Sequence, residues 1–151
     1  MTKGAKMKIQ QISLFLENKP GHLNAICRTL AQAKINIVTL SLADTQQFGI
    51  VRLIVEEWQK AKDVLEKAGY VVNVREVVAA AVADKPGGMA EILDIIGKAG
   101  VNIEYMYAFA FRHGSEAVLV FRFDNPDRAI EALKAAGRDV LDSVTLFTEA
   151  K

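Results

Sequence analysis

Two short segments of the chain could bind a small anionic group through the backbone. Residues 18–21 read Asn-Lys-Pro-Gly and residues 84–87 read Asp-Lys-Pro-Gly, and each precedes an apolar pattern of helical period. Proline fixes φ and leads the chain into a helix, while glycine has no side chain to keep a ligand from the backbone. The N-terminus of a helix offers unpaired N–H groups and the positive end of its dipole. The chemistry that this pattern favours is the capture of a carboxylate.

An Asn-Ile pair follows each helical pattern, at residues 36–37 and 102–103. An amide side chain offers a donor and an acceptor, so it pairs with either end of a zwitterion, and the isoleucines would supply an apolar wall. The candidate ligand-binding residues are Asn18, Lys19, Pro20, Gly21, His22, Leu23, Asn36 and Ile37 in the first half, and Asp84, Pro86, Gly87, Gly88, Met89, Asn102 and Ile103 in the second.

Each of these residues also has a purely structural interpretation. Asn18 and Asp84 could only cap the helices that follow, and Asn36 and Asn102 could only ease the chain out of a loop. His22 either touches a ligand or is a solvated residue of the first helical turn. Because Asn18 is neutral, it leaves the helix dipole free, whereas the charge of Asp84 partly cancels it and favours an ammonium group. We therefore rank the first segment higher for carboxylate capture.

The sequence offers little that could perform catalysis. His22 and His113 are its only histidines, neither has a second His or acid at a metal-ligand spacing, and Cys27 falls on an apolar helix face. Nucleophile-elbow, Walker and dinucleotide-binding motifs are absent from the sequence. We expect a protein that is not an enzyme and that carries no metal and no cofactor.

The two halves repeat the same helical faces, 66 positions apart. Apolar residues at i, i+3, i+4 and i+7 predict one amphipathic helix in each half. These residues are Leu23, Ile26, Cys27 and Leu30, and then Met89, Ile92, Leu93 and Ile96. A second helix carries Ala61, Val64, Leu65 and Ala68, matched 68 positions later by Ala129, Ala132, Leu133 and Ala136, with Asn125 as its N-cap and Pro126 in its first turn.

β-prone segments surround these helices. A strand at residues 9–16 precedes the first helix, and VVAAAVA precedes its counterpart. Two hairpins are predicted, one around the link TQQF at residues 45–48 and one around RHGS at residues 112–115. Final strands are predicted at VVNVREV and at VTLF. Each half therefore reads strand, helix, strand, strand, helix, strand, which is an α+β fold of two βαββαβ units with no linker between them.

The strand, the N/D-K-P-G segment, the helix and the A-x-x-N-I segment resemble an ACT domain, in two copies at residues 7–75 and 76–151. The resemblance implies ferredoxin-like units, each with a four-stranded antiparallel sheet and two helices, that pair with one another. It also implies a regulatory protein that binds an amino acid where the loop before the first helix faces the second strand of a neighbouring unit.

Aromatic residues alternate along one predicted strand. Matching its parity to Leu40 and Leu42 places Met106 and Ala108 under the helices. The rings then lie on the opposite face, and an exposed row of this kind is typical of an interface. These interface candidates are Tyr105, Tyr107, Phe109 and Phe111. We expect another ACT unit, of the same chain or of a dimer mate, to cover them; a bulge after Ile103 would instead turn the rings into the core.

Composition limits the partners. The 151 residues carry a net charge of +1 with no dominant basic segment, so neither nucleic acid nor a membrane surface is an expected partner. With no secretory signal at the start, no long apolar run and a single cysteine, we expect a cytoplasmic protein. The leading hypothesis is a homodimeric amino-acid sensor that regulates an unidentified enzyme or transporter. The alternatives are a structural interaction module without a ligand and, less favoured, a small metal-dependent enzyme.

Overall fold

The computed structural model describes residues 6–44 and 47–151. These residues form two compact units: Gln10–Arg75 is the first, and Glu76–Lys151 with the described residues before Gln10 is the second. The first half of the chain contains β1 (Ile9–Glu17), α1 (His22–Gln32), β2 (Thr39–Asp44), β3 (Phe48–Ile54) and α2 (Trp58–Lys67). It is followed by β4 (Val72–Val82), α3 (Gly88–Lys98), β5 (Ile103–Ala108), β6 (Ala117–Phe123), α4 (Pro126–Ala135), β7 (Val140–Leu141) and α5 (Ser143–Glu149).

The first unit has the strand order β2-β3-β1-β4, with β3 antiparallel to both of its neighbours. Leu14 lies opposite Val51 and Ile12 opposite Leu53, so these four side chains share one face of the sheet. Helices α1 and α2 bury their apolar stripes on that face. The core there contains Ile12, Leu14, Ile26, Leu30, Val51, Leu53, Ala61, Leu65 and Val72.

The second unit repeats this arrangement, with the order β5-β6-β4 and with β7 paired to β4. Its core lies between one face of the sheet and helices α3 and α4, and includes the stacked rings of Phe121 and Phe123, whose centroids are 5.2 Å apart. The predicted α+β class with two βαββαβ units is therefore confirmed.

The last strand predicted from the sequence is a helix in the structure. Residues 144–147, VTLF, lie in helix α5, and the final strand is the two-residue β7 before it. Asp142 caps α5, because its carboxylate accepts the N–H of Thr145 at 2.8 Å. This N-cap outweighs the β-propensity of Val144 and Thr145, since propensity is a weak prior against a local hydrogen bond. The second unit consequently has a third helix that the sequence pattern did not predict.

The segments VVNVREV and VVAAAVA are not two strands but one. They form β4, which runs for 11 residues without interruption. The division between the two compact units falls inside β4, between Arg75 and Glu76. The domain limits 7–75 and 76–151 stay predictions of where each ACT domain begins and ends.

Two local predictions are confirmed in the second unit. Asn125 caps α4, because its side-chain oxygen accepts the N–H of Arg128 at 3.2 Å with Pro126 at the start of the helix. In the RHGS turn, His113 and Glu116 exchange backbone hydrogen bonds of 3.0 Å, and Gly114 has φ of 61°. In the first unit, residues 45 and 46 of the TQQF link lie outside the described residues.

The strand parity is also as predicted. Leu40 lies opposite Leu53 on the helix side, although β2 is the edge strand and leaves Leu40 exposed. Met106 lies opposite Phe121, whereas Tyr105 and Tyr107 lie on the face away from the helices. A bulge does occur between Ile103 and Tyr105, but it does not turn the tyrosines into the core.

The aromatic row is not uniformly exposed. Phe109 is only 8% exposed in the single chain, while Phe111 is 38% exposed with its ring centroid 5.7 Å from that of Phe109. Tyr105 and Tyr107 are half-buried. An interface role for these four residues stays a prediction. Among the described residues, no helix is both long and apolar enough to cross a membrane.

Candidate functional site

Two tight turns, which we call the first elbow (residues 18–21) and the second elbow (residues 84–87), lead into α1 and α3. The carbonyl of Lys19 accepts the N–H of His22 at 3.3 Å, and the carbonyl of Lys85 accepts the N–H of Gly88 at 3.0 Å. Gly21 has φ of 88° and Gly87 has φ of 86°. Proline followed by a residue of positive φ is the geometry of a type II turn, which requires glycine at that place. The repeated Pro-Gly pair therefore encodes one backbone shape twice.

The glycine of each elbow is itself the N-cap of the helix that follows. No side chain caps α1 or α3, so the interpretation of Asn18 and Asp84 as helix caps is wrong. A methyl group built on Gly21 or Gly87 would have no atom within 4 Å. The space beside each elbow glycine is therefore open, and it adjoins a helix start that offers N–H groups and the positive end of the dipole.

The first elbow is held by backbone and charge. The N–H of Asn18 donates to the carbonyl of Gln47 at 3.0 Å, which ties the elbow to the segment before β3. The ammonium group of Lys19 lies 2.8 Å from the carboxylate of Glu17. This contact lowers the pKa of Glu17 and raises that of Lys19. A negative and a positive group therefore stand side by side at the end of β1.

The second elbow differs in its surroundings. The carboxylate of Asp84 lies 3.0 Å from the guanidinium of Arg112, in the segment between β5 and β6, so its charge has a partner. Gly88 is buried, and a Cβ atom there would collide with the carbonyl of Ala83. The corresponding residue of the first unit, 66 positions earlier, is His22. Only in the first unit does an imidazole stand at the helix start.

The structure places Asn36 and Asn102 away from the elbows of their own units. Both are exposed and follow the C-terminal ends of α1 and α3, each of 11 residues. At 1.5 Å per residue, such a helix separates its two ends by roughly 16 Å. Asn102 is fixed by Asp124, whose carboxylate accepts the Asn102 N–H at 3.0 Å. An elbow and an asparagine can therefore bind one ligand together only if they come from different ACT units. Such joint binding stays a prediction.

Four of the predicted apolar ligand contacts also serve the cores. They are half-buried and pack against the apolar cluster of their own unit. These residues are Leu23 and Ile37 in the first unit, and Met89 and Ile103 in the second.

A cavity of about 450 Å³ lies beside the first elbow. Three aromatic side chains line it, Phe15 of β1, Phe48 of β3 and Tyr70 after α2. Glu17 and His22 supply polar groups, and Leu16 and Ala25 complete the lining. Of the residues predicted from sequence, only His22 is among them. A cavity of this size and mainly apolar lining is typical of small-molecule sites.

Sequence reasoning missed the aromatic lining because its members lie far apart in the chain. One signal was available: Phe15 and Phe48 stand on the side of their strands away from the helices, where Ser13 also lies, and they are 62% and 49% exposed. Large exposed rings at such positions point to a binding surface more often than to a core.

The corresponding place in the second unit carries a charged pair. Arg138 and Glu91 lie 2.7 Å apart. They correspond to Tyr70 and Ala25, 68 and 66 positions earlier. An aromatic ring and a methyl group in one unit are thus matched by a salt bridge in the other.

The described part of the chain holds no group of three or more His, Cys, Asp or Glu side chains placed to bind a metal ion. Of the candidate nucleophiles, Cys27 is half-buried on α1 and forms no disulfide.

Comparison with known proteins identifies the family and the fold of the chain. The family model of the ACT domain pair matches residues 7–148. The structure resembles the crystal structure of protein BT0572 from Bacteroides thetaiotaomicron, at 38% identity and a TM-score of 0.86, over 95% of this chain and 97% of that one.

It shares its fold with the ligand-free regulatory subunit of aspartate kinase from Thermus thermophilus, at 18% identity and a TM-score of 0.64, over 91% of this chain and 97% of that one. The regulatory subunit of aspartate kinase from Thermus flavus gives 18% identity and a TM-score of 0.60, over 89% and 95%. No curated protein matches the chain.

Proposed function

The chain belongs to the family of ACT domain pairs, and on that basis we propose that it is a regulatory protein, without enzymatic activity, that binds a free amino acid at the interface between ACT units. The observation that supports this proposal best is the repeated elbow: once in each unit, a type II turn with open space beside its glycine precedes a helix that no side chain caps. A carboxylate is the group that such a helix start favours.

The proposed site is completed by a second chain. Because Asn36 and Asn102 stand at the far ends of the helices from the elbows of their own units, an asparagine reaches a ligand at an elbow only from a neighbouring unit. We therefore expect a homodimer, whose pairing brings each elbow to an amide side chain. The unbridged Cys27 suits a protein of the cytoplasm.

The regulated partner is proposed by analogy with the fold relatives. Two of them are named as regulatory subunits of aspartate kinase. For this chain the corresponding role is to change its association with an enzyme or a transporter when the amino acid binds. That step requires only that the two association states differ in affinity for the ligand.

A thermal-denaturation screen with the twenty common amino acids tests the proposal. A ligand at a hundred times its Kd adds about 2.7 kcal/mol to the free energy of unfolding, which raises Tm by roughly 5–11 °C at this chain length. Every amino acid leaving Tm unchanged would favour the ligand-free interaction module instead.

A pair of glycine variants then locates the site. Gly21→Ala places a methyl group in the open space beside the helix start and should weaken ligand binding about tenfold, because overpacking typically costs about 1–3 kcal/mol and each 1.4 kcal/mol is a factor of ten in affinity. Gly137→Ala is the control: Gly137 also has positive φ, 74°, and also has no atom within 4 Å of a built Cβ, but it lies at the end of α4. Equal losses of affinity in both variants would show that backbone strain, not the elbow, is responsible.

A further inference from the structure

The cavity beside the first elbow gives the proposed ligand a chemical class. We infer that it receives the side chain of an amino acid with a large apolar or aromatic group, and that each chain binds one such molecule, at the first elbow only. This inference rests on the proposed function and adds the selectivity and the stoichiometry to it.

The shape and lining of the cavity carry the first part. Its volume of about 450 Å³ is far more than a methyl or hydroxymethyl side chain fills. Phe15, Phe48 and Tyr70 line it from three separate segments of the first unit. Aromatic rings bind other rings in offset or edge-on contacts and bury a large apolar area. A ligand with a phenyl or long aliphatic group is therefore favoured over a small or charged one.

The charges beside the cavity match the other end of such a ligand. Glu17 lines it with a carboxylate, and the ammonium group of Lys19 stands 2.8 Å from that carboxylate, on the elbow. An α-ammonium group can bind Glu17 while the α-carboxylate binds Lys19 and the N–H groups at the start of α1. His22, the first residue of α1, also lines the cavity. Both signs of a zwitterion thus find partners within a few residues of one turn.

The second unit keeps the elbow lysine, as Lys85, but lacks the aromatic lining and the counterparts of Glu17 and His22. Glu91 and Arg138 form a salt bridge where the first unit has Ala25 and Tyr70. The residue matching His22 is Gly88, and those matching Phe15 and Glu17 are Ala81 and Ala83. An apolar side chain entering there would remove water from a charged pair without replacing its hydrogen bonds, which is costly. One site per chain follows from this difference.

Isothermal titration calorimetry with L-phenylalanine, L-alanine and L-aspartate tests the inference on the full chain. L-Phenylalanine should bind with one molecule per chain and at least about tenfold more tightly than L-alanine, because its ring is buried in the cavity. Tighter binding of L-alanine or L-aspartate, or two molecules of L-phenylalanine per chain, would overturn the inference and leave the proposed function standing. If none of the twenty common amino acids raises Tm in the thermal-denaturation screen, the proposed function itself fails.

A double variant introduces the salt bridge of the second unit into the first unit. Ala25→Glu with Tyr70→Arg builds the pair that the second unit already contains, and it should reduce L-phenylalanine affinity at least about tenfold. The matched control, Glu91→Ala with Arg138→Tyr, removes the pair from the second unit and should leave that affinity unchanged. The reverse outcome would place the binding site in the second unit.

A single substitution of an exposed side chain tests the cavity with less risk of unfolding the protein than the double variant. Phe15→Ala removes one exposed ring of the cavity and should weaken L-phenylalanine binding several-fold with little change in Tm, because Phe15 is 62% exposed. Leu93→Ala, which removes another exposed apolar side chain from α3, is its control and should bind as the parent does. Unchanged affinity in Phe15→Ala would contradict a role of the cavity in binding.

Discussion

The imidazole of His113 donates through Nδ1 to the carboxylate of Glu149, at 2.7 Å. This bond joins the turn between β5 and β6 to helix α5, whose Leu146 is fully buried. A second link fixes the start of the helix, where the N–H of Ser143 donates to the carbonyl of Lys6 at 2.7 Å. The helix that the sequence pattern missed is therefore held at both ends by residues distant in the chain.

Removing the Glu149 carboxylate should loosen α5. Glu149→Ala is expected to lower the free energy of unfolding by about 0.5–1 kcal/mol, because the two side chains are partly exposed and solvent screens the bond. Amide hydrogen exchange should rise in α5 before it rises elsewhere in the second unit. Glu131→Ala, on the exposed side of α4, should change neither quantity, and α5 exchange equal to that of the parent would contradict the anchoring role of Glu149.

Gly88 and Gly97 should respond oppositely to the same substitution. Gly88→Ala forces a methyl group into the carbonyl of Ala83 and should destabilise the protein by about 1–3 kcal/mol, the usual cost of overpacking. Gly97→Ala, in the same helix, meets no atom within 4 Å and should be neutral or stabilise it by about 0.5–1 kcal/mol, since alanine favours a helix. Urea denaturation measures both. Comparable stabilities of the two variants would mean that the start of α3 does not approach Ala83 as closely as the structure shows.

The sheet face that carries Tyr105 and Tyr107 is the predicted contact between ACT units. Tyr105→Glu combined with Tyr107→Glu should lower the molar mass measured by light scattering, because two charges on an apolar contact are costly to bury. Ala90→Glu, which adds a charge to an exposed position on α3, is the control and should keep the parental mass. A folded tyrosine variant of unchanged mass would place the contact elsewhere.

The ion pair of the first elbow should be visible in a titration. Lys19→Met removes the hydrogen bond and the charge that lower the pKa of Glu17, so this pKa should rise toward its ordinary value. Because the folded-state pKa lies below the unfolded one, the pair favours the folded state at neutral pH. Its contribution is lost as the pH falls through the pKa of folded Glu17. Carbon-detected NMR of the Glu17 carboxyl measures this pKa. In the parent protein, high salt should screen the ion pair and bring the pKa of Glu17 closer to its ordinary value.

Lys67→Met provides the reference for that titration. Lys67 pairs with Asp63 on α2, at 3.1 Å, and does not contact Glu17. Its removal should leave the Glu17 pKa as in the parent. A pKa of Glu17 that is the same in Lys19→Met and in the parent would show that the 2.8 Å contact does not persist in solution.

Periodicity was sufficient to predict most of the fold. The helical faces around Ile26 and Ile92 are confirmed, because buried apolar side chains recur with the helical repeat whatever their tertiary surroundings. The strand predicted at VTLF is wrong for a local reason. The N–H of Thr145 donates to the Asp142 carboxylate, and this hydrogen bond favours a helix in a segment that is too short for a helical period to be recognised. The two strands predicted at VVNVREV and VVAAAVA are one strand, β4, because no turn-forming residue lies between Arg75 and Val78 to separate them.

The site was less accessible to such reasoning. The elbows could be predicted, because Pro-Gly has few conformations and the turn depends only on its own residues. The cavity could not, because Phe15, Phe48 and Tyr70 meet only after β1, β3 and α2 have packed. The Glu91–Arg138 pair is similar: 47 residues separate its partners, and neither belongs to a repeated motif.

The uninterrupted course of β4 has a practical consequence for anyone dividing this protein. A cut between Arg75 and Glu76, the natural place to separate the two repeats, would sever a single strand in its first half. The amino-terminal fragment would keep a four-residue stub, and the carboxyl-terminal fragment would begin with a newly created chain end already inside its sheet. Unpaired strand edges of this kind promote aggregation. The protein is therefore best expressed, crystallised and assayed with both repeats in one chain.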